Sequence, residues 1–213
     1  MNSGFVTTTV AKELKAAVIF GEHRFFGKSW PGGDFTGSNK PEVYKFLTTE
    51  QAQNDFVKMF DYLQNPDDKD PNKGAFANLN VGSRAVIVFG GSYGGMLAAW
   101  MRMKFPQTFA GAHAASAPIL FTPGSISPYG FNEIITRDFR QYGANCPDFV
   151  RKGQFSLRTA ASDKTQYAAV KTAFNTCDDI TTPDEVSTLA DFVNSAFGTY
   201  AMVNYPYPAD LLG

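Results

Sequence analysis

Histidine, cysteine and excess charge are all scarce in this sequence. It has two histidines and two cysteines among 213 residues, and 19 basic residues nearly balance 20 acidic ones, for a net charge of −1. This balance, without any basic cluster, argues against nucleic acid as a partner. No apolar run approaches the roughly 18 residues of a membrane-spanning helix, so we expect no transmembrane segment and no membrane partner.

Phosphate-binding motifs are also missing. Neither G-x-x-x-x-G-K-[ST] nor G-x-G-x-x-G occurs, and we expect no cofactor and no bound metal. Cys146 and Cys177 are too widely spaced to indicate the redox compartment, and the spacing leaves open that both are buried thiols. The first residues do not have the pattern of a signal peptide.

What the sequence does contain is a regular alternation of apolar runs and helical patterns over its first 120 residues. Hydrophobic residues make up 44% of the chain, which is enough for a folded core. The order strand, helix, strand, helix, strand predicts an α/β fold with a parallel sheet, whose continuously apolar strands should be buried on both faces. Strands are predicted at 16–20, 85–89 and 111–117. One helix is predicted to end near residue 15, and two more to cover 48–63 and 96–105; Thr48 and Gln51 fit a capping box at the start of the helix at 48–63. A polar loop is predicted at 65–74.

The pattern changes near residue 121. Residues 122–128 are rich in proline, glycine and serine, and the remainder shows helical periodicity without a convincing strand. At residues 182–185, the sequence Thr-Pro-Asp-Glu has the N-cap, proline and acidic residues typical of a helix start. We therefore predict two domains, an α/β core segment at 1–120 and a helical domain at 121–213.

The stretch GGSYGGM at residues 90–96 is the strongest candidate for chemistry. Gly90, Gly91, Ser92, Tyr93 and Gly94 fit G-x-S-x-G between a strand and a helix, the context of the nucleophile elbow of α/β-hydrolases. The glycines would be needed because a Cβ beside the sharp turn would collide with the neighbouring strand or helix. Ser92 would be the nucleophile and the backbone N–H of Tyr93 an oxyanion donor. The alternative is a glycine-rich turn without chemistry that binds phosphate.

A base for Ser92 is not evident in the sequence. The α/β-hydrolase order is serine, then acid, then histidine, and neither His23 nor His113 occupies the required place. His113 lies in a predicted strand, where a structural role is the alternative. The sequence therefore predicts part of an enzyme, without the acid and histidine of its triad.

Several blocks resemble one family, the lysosomal Pro-X carboxypeptidase and dipeptidyl peptidase II family of serine peptidases. The blocks are EHRFFGKSWP at 22–31, LTTEQAQNDF at 47–56, GGSYGGMLAAWMRMKFP at 90–106, AASAP at 114–118 and AMVNYPYP at 201–208. The resemblance is greater to Pro-X carboxypeptidase. It implies a partial α/β-hydrolase fold with a partial helical insertion or cap domain, and hydrolysis of peptide bonds adjacent to proline.

The resemblance also implies roles for individual residues. Ser92 would be the nucleophile, Tyr93 an oxyanion donor, and Met96 part of an apolar pocket for proline, although Met96 is equally a core residue. Glu22, His23 and Arg24 would hold a loop beside the site, with recognition of a substrate terminus by Arg24 or Glu22 as the alternative.

Other implications concern the full-length protein. It would be lysosomal or secreted and could form a homodimer, with a peptide containing proline as its substrate. Because the family is rich in disulfides, the partners of Cys146 and Cys177 would lie outside this chain, with a Cys146–Cys177 bond as the competing possibility. Two other functions remain open, an esterase or lipase on the same fold and a catalytically inactive, hydrolase-like binding module.

Overall fold

The computed structural model describes residues 4–64 and 84–203. The chain divides into two compact units, residues 1–120 and residues 121–213. The polar loop predicted at 65–74 and the last part of the block at 201–208 lie outside the described residues. Each unit has its own hydrophobic cluster.

The first unit combines short helices with a small parallel sheet. A π-helical turn at Phe5–Val10 leads into the first α-helix. The described elements are α1 (Ala11–Glu13), α2 (Phe35–Ser38), α3 (Pro41–Tyr44), α4 (Thr49–Gln64), β1 (Ile87–Gly91), α5 (Tyr93–Lys104) and β2 (Gly111–Ala115).

The sheet consists of β1 and β2, which run parallel with Ile87 opposite Gly111 and Gly91 opposite Ala115. Helix α5 connects the two strands, as parallel pairing requires, because the chain must return to the same end of the sheet. The carboxyl ends of both strands therefore lie at one edge, and Ser92 follows β1 at that edge. The predicted α/β pattern is thus confirmed in this coarser form.

The core of the first unit forms where α4 and α5 meet the strand region. Leu97, Met101 and Phe109 are buried, and Phe60 packs edge-on against Phe109 with ring centroids 5.7 Å apart. Phe109 has no exposed surface, which corresponds to about 1.5–3 kcal/mol of hydrophobic stabilisation. The partly buried residues packed on this cluster are Phe56, Val57, Phe60, Val86, Val88, Trp100 and Phe105.

The strand predicted at 16–20 is wrong for this structure. Among the described residues, the segment pairs with no strand, and the backbone hydrogen bond found for it runs from the Ala16 N–H to the Ala11 carbonyl at 2.8 Å. A strand is defined by a hydrogen-bonded neighbour, and the described pairing of β1 is with β2. Apolar side chains alone do not specify which backbone a strand will pair with.

The strands are also less buried than predicted. Val86 and Val88 pack on the cluster of α5, whereas Ile87 and Phe89 are 47% and 37% exposed. Packed and exposed residues therefore alternate along β1, so that one face lies against α5 and the other is exposed to solvent. The expectation of burial on both faces is wrong. The strand also extends to Gly91, beyond the predicted end at residue 89.

Every regular element in the described part of the second unit is a helix, as predicted. Its helices follow one another with short connections. They are α6 (Gly130–Tyr142), α7 (Cys146–Ala160), a 3₁₀ turn (Lys164–Gln166), α8 (Tyr167–Phe174) and α9 (Pro183–Met202).

Two sets of contacts hold this unit together. Val186 and Ala190 of α9 are fully buried against Leu157 of α7 and Tyr167 and Val170 of α8. Nearer the end of α9, the rings of Phe139 and Phe197 meet edge-on at 5.6 Å.

Both cysteines belong to this unit and both are free. Cys146 is half-buried and Cys177 is exposed, so the interpretation as two buried thiols is wrong for Cys177. No bond joins Cys146 to Cys177 in this structure.

Helix α9 begins where its sequence predicts, and Thr182 and Glu185 form a capping box there. The Glu185 N–H donates to Thr182 Oγ1 at 3.3 Å, and Glu185 Oε2 accepts from the backbone N–H groups of Thr182 at 2.9 Å and Thr181 at 2.7 Å. Three otherwise unpaired donors at the helix end are thereby satisfied. Hydrogen bonds from the Thr181 and Thr182 N–H groups lower the pKa of Glu185 below its usual value.

We predict that Thr182→Ala lowers the free energy of unfolding by about 1 kcal/mol, because the hydroxyl that caps α9 is lost. Urea unfolding followed by circular dichroism would measure the change. The matched control is Thr188→Ala, an exposed threonine within the same helix, which should be neutral or slightly stabilising. Equal destabilisation by the two substitutions would contradict the capping role.

A second prediction concerns pH. Because the pKa of Glu185 is lowered in the folded state, its stabilising effect is present above the unfolded pKa and is lost as pH falls through the folded pKa. The difference in free energy of unfolding between wild type and Glu185→Gln should therefore shrink between roughly pH 6 and pH 3. A difference that stays constant over this range would show that the carboxylate charge contributes nothing.

Candidate active site

Ser92 is the single residue between β1 and α5. Its backbone has φ 55° and ψ −123°, a conformation that L-residues rarely adopt. Its N–H donates to the Ala115 carbonyl of β2 at 2.9 Å, and its carbonyl accepts from the Met96 N–H at 3.1 Å. The strained turn predicted for a nucleophile elbow is present, with a cost of about 1–3 kcal/mol that the surrounding contacts must offset.

The turn explains why α5 begins earlier than predicted. The expected helix starts at residue 96, but the observed helix starts at Tyr93, because the positive φ of Ser92 redirects the chain within one residue. The side chain of Ser92 is exposed. A hydroxyl at the open edge of a sheet, directly before a helix, can reach a substrate without displacing protein atoms.

The glycines around Ser92 are not equivalent. A Cβ at Gly90 would overlap the carbonyl of Gly94, whereas a Cβ at Gly91 or Gly94 would meet nothing within 4 Å. The expected collision therefore holds at Gly90 and is wrong at Gly91 and Gly94. Gly95, which the motif does not include, is buried, and a Cβ there would lie 3.0 Å from both the Ala115 carbonyl oxygen and Ala117 Cβ. The doubled glycine at 94–95 was the available signal for this packing requirement.

Tyr93 opens helix α5. The N–H groups of a first helical turn have no acceptor within the helix, and they lie at the positive end of its dipole. The Tyr93 N–H, directly after Ser92, therefore has the electrostatic setting that an oxyanion donor needs. Its role as a donor stays a prediction.

The side chain of Tyr93 meets His23, a contact that the sequence did not indicate. The Tyr93 hydroxyl and His23 Nε2 are 3.1 Å apart, and the two rings are tilted with centroids 5.7 Å apart. His23 Nδ1 lies 2.6 Å from the carbonyl oxygen of Arg24. Since a carbonyl only accepts, Nδ1 carries the proton in the neutral ring, and Nε2 accepts from the Tyr93 hydroxyl.

All three guanidinium nitrogens of Arg24 donate hydrogen bonds to other protein atoms. Its Nε and Nη2 donate to the two carboxylate oxygens of Asp55 at 2.6 and 2.7 Å, and Nη1 donates to the Phe46 carbonyl at 2.7 Å and to Gln51 Oε1. Gln51 therefore does not complete the predicted capping box, although its N–H does donate to Thr48 Oγ1 at 3.2 Å. A guanidinium engaged this fully supports the role of holding the loop over recognition of a substrate.

Glu22 is engaged in the same loop. Its Oε2 accepts from the Ser29 hydroxyl at 2.7 Å and the Lys28 N–H at 2.9 Å, and these hydrogen bonds lower its pKa, that from Ser29 most. Phe25 is buried at φ 69°, an unusual backbone for a bulky residue, and its N–H donates to the Ser29 carbonyl at 2.7 Å. Side-chain and backbone hydrogen bonds therefore fix the conformation of this loop next to the elbow.

Burial raises the pKa of the Tyr93 phenol above its usual value, and the negative charge of Glu50 raises it further. The phenol is consequently neutral over the physiological range and keeps its proton as a hydrogen-bond donor. This agrees with a Tyr93 hydroxyl that donates to His23.

A cavity of about 500 Å³ lies beside the elbow. Its walls are largely apolar and come from residues 18–21, α4, β1 and α5, with His23 and Tyr93 among its polar members. Leu97 and Met101 of α5 line it, whereas Met96 is half-buried and does not. The assignment of Met96 to a proline pocket therefore has no support from this cavity and stays a prediction.

A base for Ser92 is not found in the described part of the chain. His113 is exposed on β2, with its ring 5.4 Å from that of Phe89, and both ring nitrogens of His23 are engaged elsewhere. Over residues 4–64 and 84–203, no hydrogen bond joins either histidine to Ser92. The same residues hold no group of three or more metal-ligating side chains, and no described helix is long and apolar enough to cross a membrane.

Comparison with known proteins places this geometry in a family context. The model of the serine carboxypeptidase S28 family matches residues 1–212. A lysosomal Pro-X carboxypeptidase from Bos taurus is 38% identical over 211 residues, and the one from Homo sapiens is 35% identical over the same length. A Caenorhabditis elegans protein named prolyl carboxy peptidase like protein 5 is 37% identical over 216 residues. Each alignment covers 99% of this chain but 40% of the relative, so the chain spans about two fifths of their length.

We predict that Gly90→Ala destabilises the chain by about 1–3 kcal/mol, because its Cβ would overlap a backbone carbonyl that cannot rotate away. Gly91→Ala is the matched control, since its Cβ would enter open space and should change stability by less than about 0.5 kcal/mol. Thermal or urea unfolding of the two variants gives the comparison. Similar losses for both would mean that backbone freedom, and not the contact at Gly90, is required.

Proposed function

Because the chain belongs to the serine carboxypeptidase S28 family, we propose that it is the nucleophile-bearing part of a serine exopeptidase that hydrolyses peptide bonds adjacent to proline. The relatives named Pro-X carboxypeptidase support a proline-directed carboxypeptidase over a dipeptidyl peptidase. The observation that carries the proposal is the backbone of Ser92, strained at φ 55° between β1 and α5. Positive φ at a serine directly between a strand and the first residue of a helix is the geometry of a nucleophile elbow, which presents the hydroxyl beside the free N–H groups of the helix start.

The proposed mechanism is acyl transfer through Ser92. The Ser92 oxygen attacks the scissile carbonyl carbon, and a base takes the hydroxyl proton. The Tyr93 N–H donates to the oxygen that becomes negative. The C–N bond then breaks, the proton passes to the leaving amine, and water hydrolyses the ester to release the second product and regenerate Ser92.

The base and the acid that orients it are proposed to lie in the remainder of the full-length protein. His23 and His113 are poor candidates, because the first is engaged through both nitrogens and the second has no hydrogen bond to Ser92. This chain by itself is accordingly expected to turn over substrate little or not at all.

The two units correspond to two proposed roles. Residues 1–120 would form part of an α/β-hydrolase core, and residues 121–213 part of a helical cap. The full-length protein would be lysosomal or secreted, following the relatives named lysosomal. Formation of a homodimer is a further expectation for that form.

We predict that Ser92→Ala in the full-length protein lowers kcat for a peptide with a penultimate proline by at least about 10³-fold, because the acyl-enzyme cannot form. Labelling with a fluorophosphonate, which forms a covalent adduct with activated serines, should be lost as well. Ser116→Ala is the matched control: Ser116 is another exposed serine with positive φ, directly after β2, and its removal should leave labelling intact.

The alternatives would show themselves in the same assay. Turnover of short acyl esters with no cleavage of prolyl peptides would favour an esterase or lipase. Absence of both activities and of labelling in the full-length protein, with the fold intact by circular dichroism, would favour a binding module and overturn the proposal.

A further inference from the structure

We propose that His23 is a positioning residue, which acts through the Tyr93 side chain to hold the Tyr93 N–H where the oxyanion forms. This inference rests on the proposed function of Ser92 as a nucleophile. It assigns a role in catalysis to a residue that does not touch the substrate, and to a hydrogen bond between a loop and the first residue of α5.

The contact connects the elbow to the rest of the first unit. The Tyr93 hydroxyl donates to His23 Nε2 over 3.1 Å, and the Nδ1–H of His23 donates to the Arg24 carbonyl over 2.6 Å. The guanidinium of Arg24 donates hydrogen bonds to both carboxylate oxygens of Asp55 on α4. Hydrogen bonds at the backbone and at the side chain of Arg24 thus connect a 16-residue helix, through Arg24 itself and His23, to the residue after the nucleophile.

The backbone at Tyr93 needs such support. Tyr93 is 44% exposed, and as the first residue of α5 its N–H has no acceptor inside the helix. An oxyanion donor works only if it is already aimed when charge develops, and a displacement of about 1 Å can cost about 100-fold in rate. A fixed aromatic side chain restricts the same residue whose N–H must be aimed.

His23 suits this task better than a flexible residue would. Its ring is half-buried, packs edge-on against Phe26 at 5.3 Å, and has one nitrogen tied to backbone. The other nitrogen is therefore presented as an acceptor in a fixed direction. The raised pKa of Tyr93 keeps the phenol protonated and able to donate.

The hydrogen bond itself can be tested without catalysis. In the chain labelled with ¹⁵N-histidine, the Nε2 resonance of His23 should have the shift of a hydrogen-bonded acceptor nitrogen. Tyr93→Phe should move this resonance toward that of a free acceptor and leave the Nδ1 resonance in place. An unchanged Nε2 resonance in Tyr93→Phe would overturn the proposal.

Kinetics in the full-length protein test the positioning role. His23→Leu and Tyr93→Phe should each lower kcat by about 10-fold with KM nearly unchanged, and the double variant should lose no more than either single variant. His23→Gln should recover most of the rate, because its amide oxygen can accept from the Tyr93 hydroxyl. His113→Leu is the matched control and should retain the wild-type rate, since His113 lies on β2 with its ring beside Phe89.

The outcomes separate this inference from the proposed function. If prolyl peptides are not cleaved but fluorophosphonate still labels Ser92, the substrate assignment fails, and slower labelling in His23→Leu and Tyr93→Phe would still support positioning. A His23→Leu variant with a lower melting temperature and unchanged kcat would reduce His23 to a structural role. If His23→Leu does not fold, Tyr93→Phe, which removes only a hydroxyl, decides the question, and a wild-type rate in that variant would overturn the inference.

Discussion

The change of direction at Ser92, made within one residue, is the constraint on which the rest of the first unit depends. A positive φ at this position costs about 1–3 kcal/mol, and the chain keeps it because the Ser92 N–H is bonded to β2 and α5 packs on Val86 and Val88. The start of α5 consequently lies so close to β1 and β2 that there is no space for a Cβ at Gly90 and little at Gly95. The parallel pairing of β1 with β2, the start of α5 and the exposure of the hydroxyl all follow from this turn.

The loop at residues 22–30 provides the second source of order around the site. Two of its charged side chains are hydrogen-bonded within the protein, Glu22 by the Ser29 hydroxyl and the Lys28 N–H, and Arg24 by Asp55 on α4. The Arg24 side chain is only 17% exposed, so its bidentate partner compensates for the lost hydration of the charge. A loop bound this closely to a helix can act as a rigid support for the neighbouring Tyr93.

The sequence predicted the structure correctly where a local backbone conformation requires a particular residue type. Glycines around Ser92 predicted a strained turn, and Thr182 with Glu185 predicted the start of α9, because both features depend on residues adjacent in the chain. It failed where the outcome depended on a distant partner. Residues 16–20 have the composition of a strand but no paired neighbour in the described part of the chain, and Gln51, expected to cap α4, accepts from Arg24 instead.

By itself the sequence determined the family, the order strand, helix, strand that surrounds Ser92 in the first unit, the helical character of the second and the identity of the candidate nucleophile. These are encoded locally, in periodicity, caps and a glycine-rich turn. Only the tertiary structure decided which glycines around Ser92 packing requires, Gly90 and Gly95, and that His23 meets Tyr93, 70 residues away. Such contacts depend on how separate elements pack in space, and no local pattern records which side chains that packing will bring together.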